Sequence, residues 1–217
     1  MNRSLAVLLV VLTMLPAAAR AQDEHRLQYT IGLMASQQIV QSRVEPSNNR
    51  LTGPILGFEG ALISDRLIVR VRYGEGRVQP REGPDNNARD VVEGEALVGF
   101  HAVPWLTLWG GPSARAYTIG NTNQRWLIWT ARATGRGTLV PGRMQSFVEL
   151  WGAFTGSVGD PALPAGGRGF NGGLEVKLGR TTPLWSRLSY KMESTHASGL
   201  RETVESLTLS LIYGLPR

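Results

Sequence analysis

Cysteine is absent from this chain of 217 residues. That absence excludes disulfide bonds, thiolate chemistry and cysteine-based zinc sites, so packing and strand pairing must stabilise an exported form of the protein. Long apolar runs are missing after the first residues, and no later segment reaches the roughly 20 residues that a membrane-spanning helix needs. The net charge is +6, but the chain has no Lys/Arg run, so we do not expect nucleic-acid binding.

The N-terminal segment has the three parts of a secretory signal peptide. Arg3 gives a positive start, an apolar run follows, and Ala19-Arg20-Ala21 is a cleavage motif. We expect cleavage after Ala21, which divides the sequence into a signal peptide at 1–21 and one mature domain at 22–217 with a net charge of +4. An uncleaved anchor is the alternative, but the apolar run is too short to span a bilayer as a helix.

The mature sequence alternates between apolar and polar residues, a two-residue rhythm that predicts β-strands with one apolar and one polar face. The clearest case is the last segment, where leucines alternate with Ser and Thr and Tyr213 ends the apolar face. No helical period follows the signal. The rhythm predicts ten strands, at residues 29–41, 53–63, 67–73, 91–103, 106–118, 124–139, 144–158, 170–179, 184–196 and 204–213.

The connections between these strands alternate in character. Those at residues 42–50, 80–89 and 159–169 are long and rich in Gly, Pro or polar residues, whereas Ser64-Asp65 and Pro104-Trp105 are typical of the short turns. The pattern predicts long loops at one end of the sheet and short turns, together with both termini, at the other end.

These features resemble those of bacterial outer-membrane β-barrels as a class, over nearly the whole mature chain. The resemblance implies an all-β, transmembrane, up-and-down antiparallel barrel of about ten strands in the outer membrane, with its aliphatic face toward lipid. A soluble secreted β-barrel that binds a small ligand, with its charges in water, is an alternative. Aromatic residues near the predicted strand ends favour the membrane, because they suit an interfacial girdle. They are Tyr29, Phe100, Trp105, Trp185 and Tyr213 at the short-turn end and Tyr73, Tyr117 and Trp126 at the other.

The charged residues of the strands share one phase, which in a membrane barrel points into the lumen. They are Glu59, Arg70, Arg72, Glu93, Glu95, Arg115, Arg132, Glu149, Glu175, Lys177, Arg187, Lys191 and Glu193. Buried charges persist only when they are paired, and a ten-stranded ring is only slightly wider than barrels that side chains fill. We therefore expect a salt-bridged lumen with water in its gaps and no open pore.

One set of residues raises the possibility of catalysis. His196 and Ser198, followed by Glu205, resemble the His, Ser and Glu trio of the lipid A deacylase barrels, in which His deprotonates Ser and an acid orients His. This sequence has Gly199 where an Asn usually follows the serine. Counting from the hairpin turn pairs Met192 with Glu205, which leaves Glu205 on the order of 13 Å from His196.

The other histidines and acids give no better candidate. His25 lies beside the cleavage site, and His101 has no Ser or Asp at a useful offset. Omptin-type proteases also have ten strands, but their Asp pairs and Asp–His couple have no match here.

We therefore expect a small integral outer-membrane protein of structural, adhesion or narrow-channel type, with no catalytic, cofactor or metal site. A deacylase-like membrane hydrolase is the alternative within the membrane. The expected partners are outer-membrane lipid, lipopolysaccharide and, during folding, the barrel-assembly machinery; we expect a monomer.

Overall fold

The computed structural model describes residues 27–44, 47–64, 67–84, 87–120, 122–159 and 162–214, and the predicted signal peptide lies outside these residues. Ten antiparallel strands form a closed barrel in which each strand pairs with its neighbours in sequence and the first pairs with the last. The predicted ten-stranded, up-and-down barrel is confirmed. The strands are β1 (Gln28–Val44), β2 (Ser47–Ser64), β3 (Leu67–Glu82), β4 (Arg89–Val103), β5 (Leu106–Ile119), β6 (Thr122–Val140), β7 (Met144–Val158), β8 (Leu163–Lys177), β9 (Leu184–Ala197) and β10 (Leu200–Gly214). The described residues contain no helix that could cross a bilayer.

The barrel has a proximal end, which carries the first and last strand termini, and a distal end opposite to it. The predicted long distal loops are wrong at two of three places. β1 reaches Val44 and β2 begins at Ser47, and β8 begins at Leu163, so most of the predicted loops at 42–50 and 159–169 is strand. The reason is physical: a hydrogen-bonded sheet can continue beyond the membrane with a polar outer face, and its sequence then looks like a polar loop.

Exposed apolar side chains form a belt around the outside of the barrel. Leu33 is 70% exposed, Leu150 60% and Leu209 56%, and each lies on an outward-facing strand position. A soluble monomer rarely exposes a continuous apolar surface of this extent. The belt faces lipid, and the soluble alternative fails because it requires the charged face to be outside.

The prediction of the aromatic girdle is partly wrong. Tyr29, Phe100, Trp105 and Tyr213 are exposed on the outside at the proximal end, where an interfacial girdle needs them. Tyr117, Trp126 and Trp185 are 0%, 3% and 3% exposed because they share the inward phase of their strands. Position near a strand end does not decide which face an aromatic residue occupies; the alternation does.

Two apolar clusters fill parts of the interior. The smaller one lies toward the proximal end and contains Ile63, Ile68, Leu97 and Trp109. The larger one, which we call the apolar layer, lies in the distal half and receives a side chain from every one of the ten strands. Its buried members are Val40, Leu51, Ile55, Val78, Val91, Tyr117, Trp126, Ile128, Val158 and Val204, with Ala153, Ala165, Ala197 and Leu200 packed against them.

Candidate functional site: the charged lumen

Twelve of the thirteen residues predicted for the lumen line two internal cavities between the apolar layer and the proximal end. Lys177 is the exception, because its Nζ donates a hydrogen bond to the carbonyl oxygen of Arg180 in the proximal connection after β8. Arg136 and Glu202, which are not among the thirteen predicted residues, join the network. The interior charges form two groups, a distal cluster around Arg115 and a proximal cluster around Glu149 and Glu175.

Arg115 lies between three carboxylates in the distal cluster. Its Nη2 is 3.3 Å from Glu93 Oε2 and also pairs with Glu193, and its Nη1 is 3.3 Å from Glu202 Oε1. Lys191 Nζ lies 3.2 Å from Glu193 Oε2. One guanidinium therefore joins strands β4, β5, β9 and β10 across the lumen.

Neutral donors complete the distal cluster. The Tyr117 hydroxyl donates to Glu202 Oε1 at 2.8 Å, and Gln38 Nε2 donates to Glu93 Oε2 at 3.0 Å. Because Tyr117 also belongs to the apolar layer, it connects that layer to the distal cluster.

Arg70 and Arg132 share two carboxylates in the proximal cluster. Arg70 Nη2 lies 3.3 Å from Glu95 and 3.0 Å from Glu149. Arg132 lies 3.0 Å from Glu95 and 3.2 Å from Glu149. The Thr134 hydroxyl also donates to Glu149, at 2.9 Å. Each acid thus has two cationic partners, the arrangement that buried charges require.

The remaining proximal charges are bound around Arg187. Its Nη1 lies 2.6 Å from Glu59 and its Nη2 lies 2.7 Å from Glu175, which also receives Arg136 Nη1 at 3.4 Å. Arg72 lines both cavities and directs its Nε to the sulfur of Met34 at 3.1 Å.

The two clusters are electrically balanced. Seven carboxylates (Glu59, Glu93, Glu95, Glu149, Glu175, Glu193 and Glu202) face seven cations (Arg70, Arg72, Arg115, Arg132, Arg136, Arg187 and Lys191). The cavities between them measure about 40 and 80 Å³. Since about 10–15 Å³ admits one water molecule by this measure, the cavities have room for a few waters and not for an organic solute.

The geometry of the lumen supports few kinds of chemistry. Within the described ranges, no three His, Asp or Glu side chains are placed to hold a metal ion. His101 lies apart from the charge clusters, with its Nδ1 3.0 Å from the Thr107 hydroxyl.

The possible hydrolytic trio has the register that the sequence count predicts. Arg201 is the register partner of His196, and Met192 is that of Glu205. Glu205 Oε2 instead accepts a hydrogen bond of 2.9 Å from Tyr190. The Glu205 carboxylate is therefore hydrogen-bonded on the outer wall nearer the proximal end, away from His196.

Comparisons with known proteins identify a fold and no family. No family model matches the chain, and no curated protein matches it. The outer-membrane protease OmpT from Escherichia coli is a structural neighbour with a TM-score of 0.56 at 10% identity, covering 90% of this chain and 99% of that one. An outer-membrane channel from Pseudomonas putida F1 has a TM-score of 0.49 at 12% identity, covering 90% and 98%. The attachment invasion locus protein Ail of Yersinia pestis has 0.36 at 10%, covering 86% and 98%.

The fold, the outward belt and the charged interior together define the class. The protein is a β-barrel of the bacterial outer-membrane type. At 10% identity the likeness to OmpT extends to the fold alone. Asp90 is the one aspartate in the described part of the chain, and its Oδ1 lies 3.6 Å from Arg77 Nε on the outer surface.

The alternation of inward and outward positions along the strands indicates that both Arg136 and Glu202 face the lumen. Arg136 has the same phase as Arg132 on β6, and Glu202 has the same phase as Ser206 on β10. Glu202 was missed because the predicted strand began at residue 204, whereas β10 begins four residues earlier, at Leu200. The predicted lumen contained only charged residues. It therefore did not include the inward-facing apolar residues that form the apolar layer.

Proposed function

We propose that this protein is a non-conducting, non-catalytic outer-membrane barrel of structural or adhesion type, which acts through its outer surfaces. The observation that carries the proposal is the apolar layer. All ten strands contribute to it, and Val40, Leu51, Ile55, Val78 and Tyr117 have no exposed surface. A section of the lumen to which every strand contributes apolar side chains opposes the passage of hydrated ions, because an ion that loses water there gains few polar partners.

The charge network supports the same proposal. Each carboxylate of the proximal cluster is held by cations from other strands, so the side chains that would have to move to open a path are restrained. The narrow-channel role is therefore the weakest of the three that the sequence suggested.

Planar-bilayer recordings test this proposal. The folded mature protein should give no stepwise conductance, with insertion verified separately by the shift in gel mobility on boiling. Leu51→Ala combined with Trp126→Ala removes two large side chains from the apolar layer, and this variant should conduct or leak small ions. Stepwise conductance by the wild type contradicts the proposal, and a folded double variant that stays closed shows that the layer is not the barrier.

A further inference from the structure

The ladder between β7 and β8 is interrupted in the distal half of the barrel. Register pairing stops at Gly152 with Arg168 and resumes only at Ser157 with Pro164. The residues between these two pairs have no register partners across the seam. Every other seam between the described strands is continuous or misses at most two successive residues on a strand. We call the unpaired residues, 153–156 of β7 and 165–167 of β8, the seam break.

An extra residue on β7 accounts for the interruption. On the other side of β7, Ala153 pairs with Thr130 and Thr155 pairs with Trp129, so Phe154 has no register partner on β6 either. A β-bulge of this kind disrupts the ladder locally and redirects side chains. The Phe154 side chain is 66% exposed. β8 pairs with β9 without interruption over the same residues, so the irregularity belongs to β7.

The seam is closed in the structure by contact between the two backbones. A Cβ at Gly156 would be 2.9 Å from the carbonyl oxygen of Ala165, so glycine is needed for this close approach. The other residues of β8 in the seam break are Gly166 and Gly167, which have no side chains to interlock with β7. An interrupted ladder and little side-chain packing are features of a segment that opens locally at low free energy.

Both faces of the seam break are apolar. Phe154 and its neighbour on β6, Trp129, are exposed on the outside. On the inside, Ala153 and Ala165 pack against the apolar layer. Thr155 is the one polar side chain of the seam break. A group that enters here therefore passes from one apolar surface to another.

The seam break begins where the lipid belt ends. Leu150 on β7 and Phe170 on β8 are register partners and exposed members of the belt. The next outward pair along the two strands is Gly152 with Arg168, which forms the proximal edge of the seam break. A Cβ at Gly152 would meet nothing within 4 Å, so the surface at this edge is open. A hydrocarbon chain that lies on the belt is therefore one residue pair away from the seam break.

We propose that the seam between β7 and β8 opens laterally and admits an acyl chain of a lipid in the surrounding leaflet to the apolar layer. Apolar groups line both faces of the seam break and the space behind it, and a polar ligand buried there would lack partners. A single hydrocarbon chain is similar in width to the spacing of adjacent strands, about 4.8 Å. The inference goes beyond the closed lumen and does not depend on its being non-conducting.

Fluorescence quenching by brominated lipid chains tests the proposal, because bromine quenches tryptophan only at short range. One variant keeps Trp126 alone, an inward residue of the apolar layer that is 3% exposed and whose register partner Val158 follows the seam break. The control variant keeps Trp109 alone, an inward residue at the level of the exposed belt residue Val98. Phenylalanine replaces the other tryptophans, and gel mobility with and without boiling verifies folding in phosphatidylcholine vesicles.

The Trp126 variant should be quenched more strongly than the Trp109 variant. Quenching through an intact wall would give the opposite order, because Trp109 lies behind the belt. Equal quenching of the two variants, or stronger quenching of Trp109, overturns the proposal. Quenching of Trp126 by a brominated free fatty acid in unbrominated vesicles, without quenching by brominated lipid, overturns the assignment to a lipid chain.

A disulfide across the proximal edge tests the path of entry. The chain has no cysteine, and register partners lie at the Cα separation that a disulfide requires. Gly152→Cys with Arg168→Cys should abolish the excess quenching of Trp126, and reduction should restore it. Ser194→Cys with Thr203→Cys, on the uninterrupted seam of β9 and β10, should leave the excess unchanged. An excess that survives the first disulfide overturns the assignment to this seam.

Hydrogen exchange of the wild type gives a test that needs no tryptophan replacement. Backbone amides of the seam break should exchange faster than those of Ser194 and Thr203, which continue the register row of Arg168 across two uninterrupted seams. Faster exchange reports local opening. Equal protection of the two sets of amides overturns the proposal.

Discussion

Arg115 on β5 and Glu202 on β10 meet across the lumen, with Nη1 and Oε1 3.3 Å apart. Neither strand is a neighbour of the other in the barrel. The pair is therefore a contact through the interior, and Tyr117 at 2.8 Å from the same oxygen ties it to the apolar layer. Arg115 also neutralises Glu93 and Glu193. Its removal therefore leaves three acids, of which Glu193 keeps its ion pair with Lys191.

Arg115→Met should lower the free energy of unfolding by about 3–5 kcal/mol, the cost of leaving buried charge uncompensated. Arg77→Met is the matched control, since both partners of the Arg77–Asp90 pair are 65% exposed, and it should cost about 0–1 kcal/mol. Urea unfolding of the barrel in phosphatidylcholine vesicles measures both. A loss below about 1 kcal/mol for Arg115→Met would show that the distal cluster adjusts or admits water.

The alternation of the strands decided how much of this fold could be predicted. A two-residue period survives in both water and lipid, so ten strands and the two faces of β10 follow from the sequence. The ends of the strands do not follow from the sequence, because Arg43 and Asn48 are as compatible with a loop as with the outer wall of a protruding hairpin. The pairing of side chains in the interior does not follow from the sequence either. Arg115 reaches Glu202, 87 residues away, because of the way the barrel closes and its strands are staggered.

Trp109 lies over Gly99, its register partner on β4. A Cβ at Gly99 would be 2.3 Å from Trp109 Cε3. The indole also receives the Arg70 guanidinium 4.6 Å from its ring centre and donates to Thr134 at 2.9 Å. Gly99→Ala should therefore displace the ring and destabilise the barrel by about 1–3 kcal/mol, the usual cost of overpacking.

Gly94 on the same strand provides the control for Gly99. The nearest atom to a Cβ at Gly94 is 3.6 Å away, an ordinary contact, so Gly94→Ala should be neutral or slightly stabilising. Thermal unfolding and tryptophan fluorescence follow both variants. Equal stability of the two alanine variants would mean that the ring does not occupy the space above Gly99.

The position of the lipid belt gives a prediction on a single strand. Val69 and Gln79 both point outward on β3, Val69 within the belt and Gln79 in the polar region beyond it. Val69→Arg should cost about 2–4 kcal/mol, the penalty for a cation near the bilayer midplane, whereas Gln79→Arg should cost about 0–1 kcal/mol. Unfolding in vesicles compares them, and equal costs would place the membrane elsewhere on the barrel.

The last prediction concerns catalysis at His196, Ser198 and Glu205. A hydrolytic trio requires the acid within hydrogen-bond reach of the imidazole, but Glu205 is paired in register with Met192 and bonded to Tyr190. Four residues of β9 separate Met192 from His196, on the order of 13 Å. Expression of the wild type and of Ser198→Ala in a host that makes lipopolysaccharide, followed by mass spectrometry of the extracted lipid A, should give identical spectra. Loss of an acyl chain with the wild type alone would establish a hydrolase and would require the last hairpin to adopt a different register.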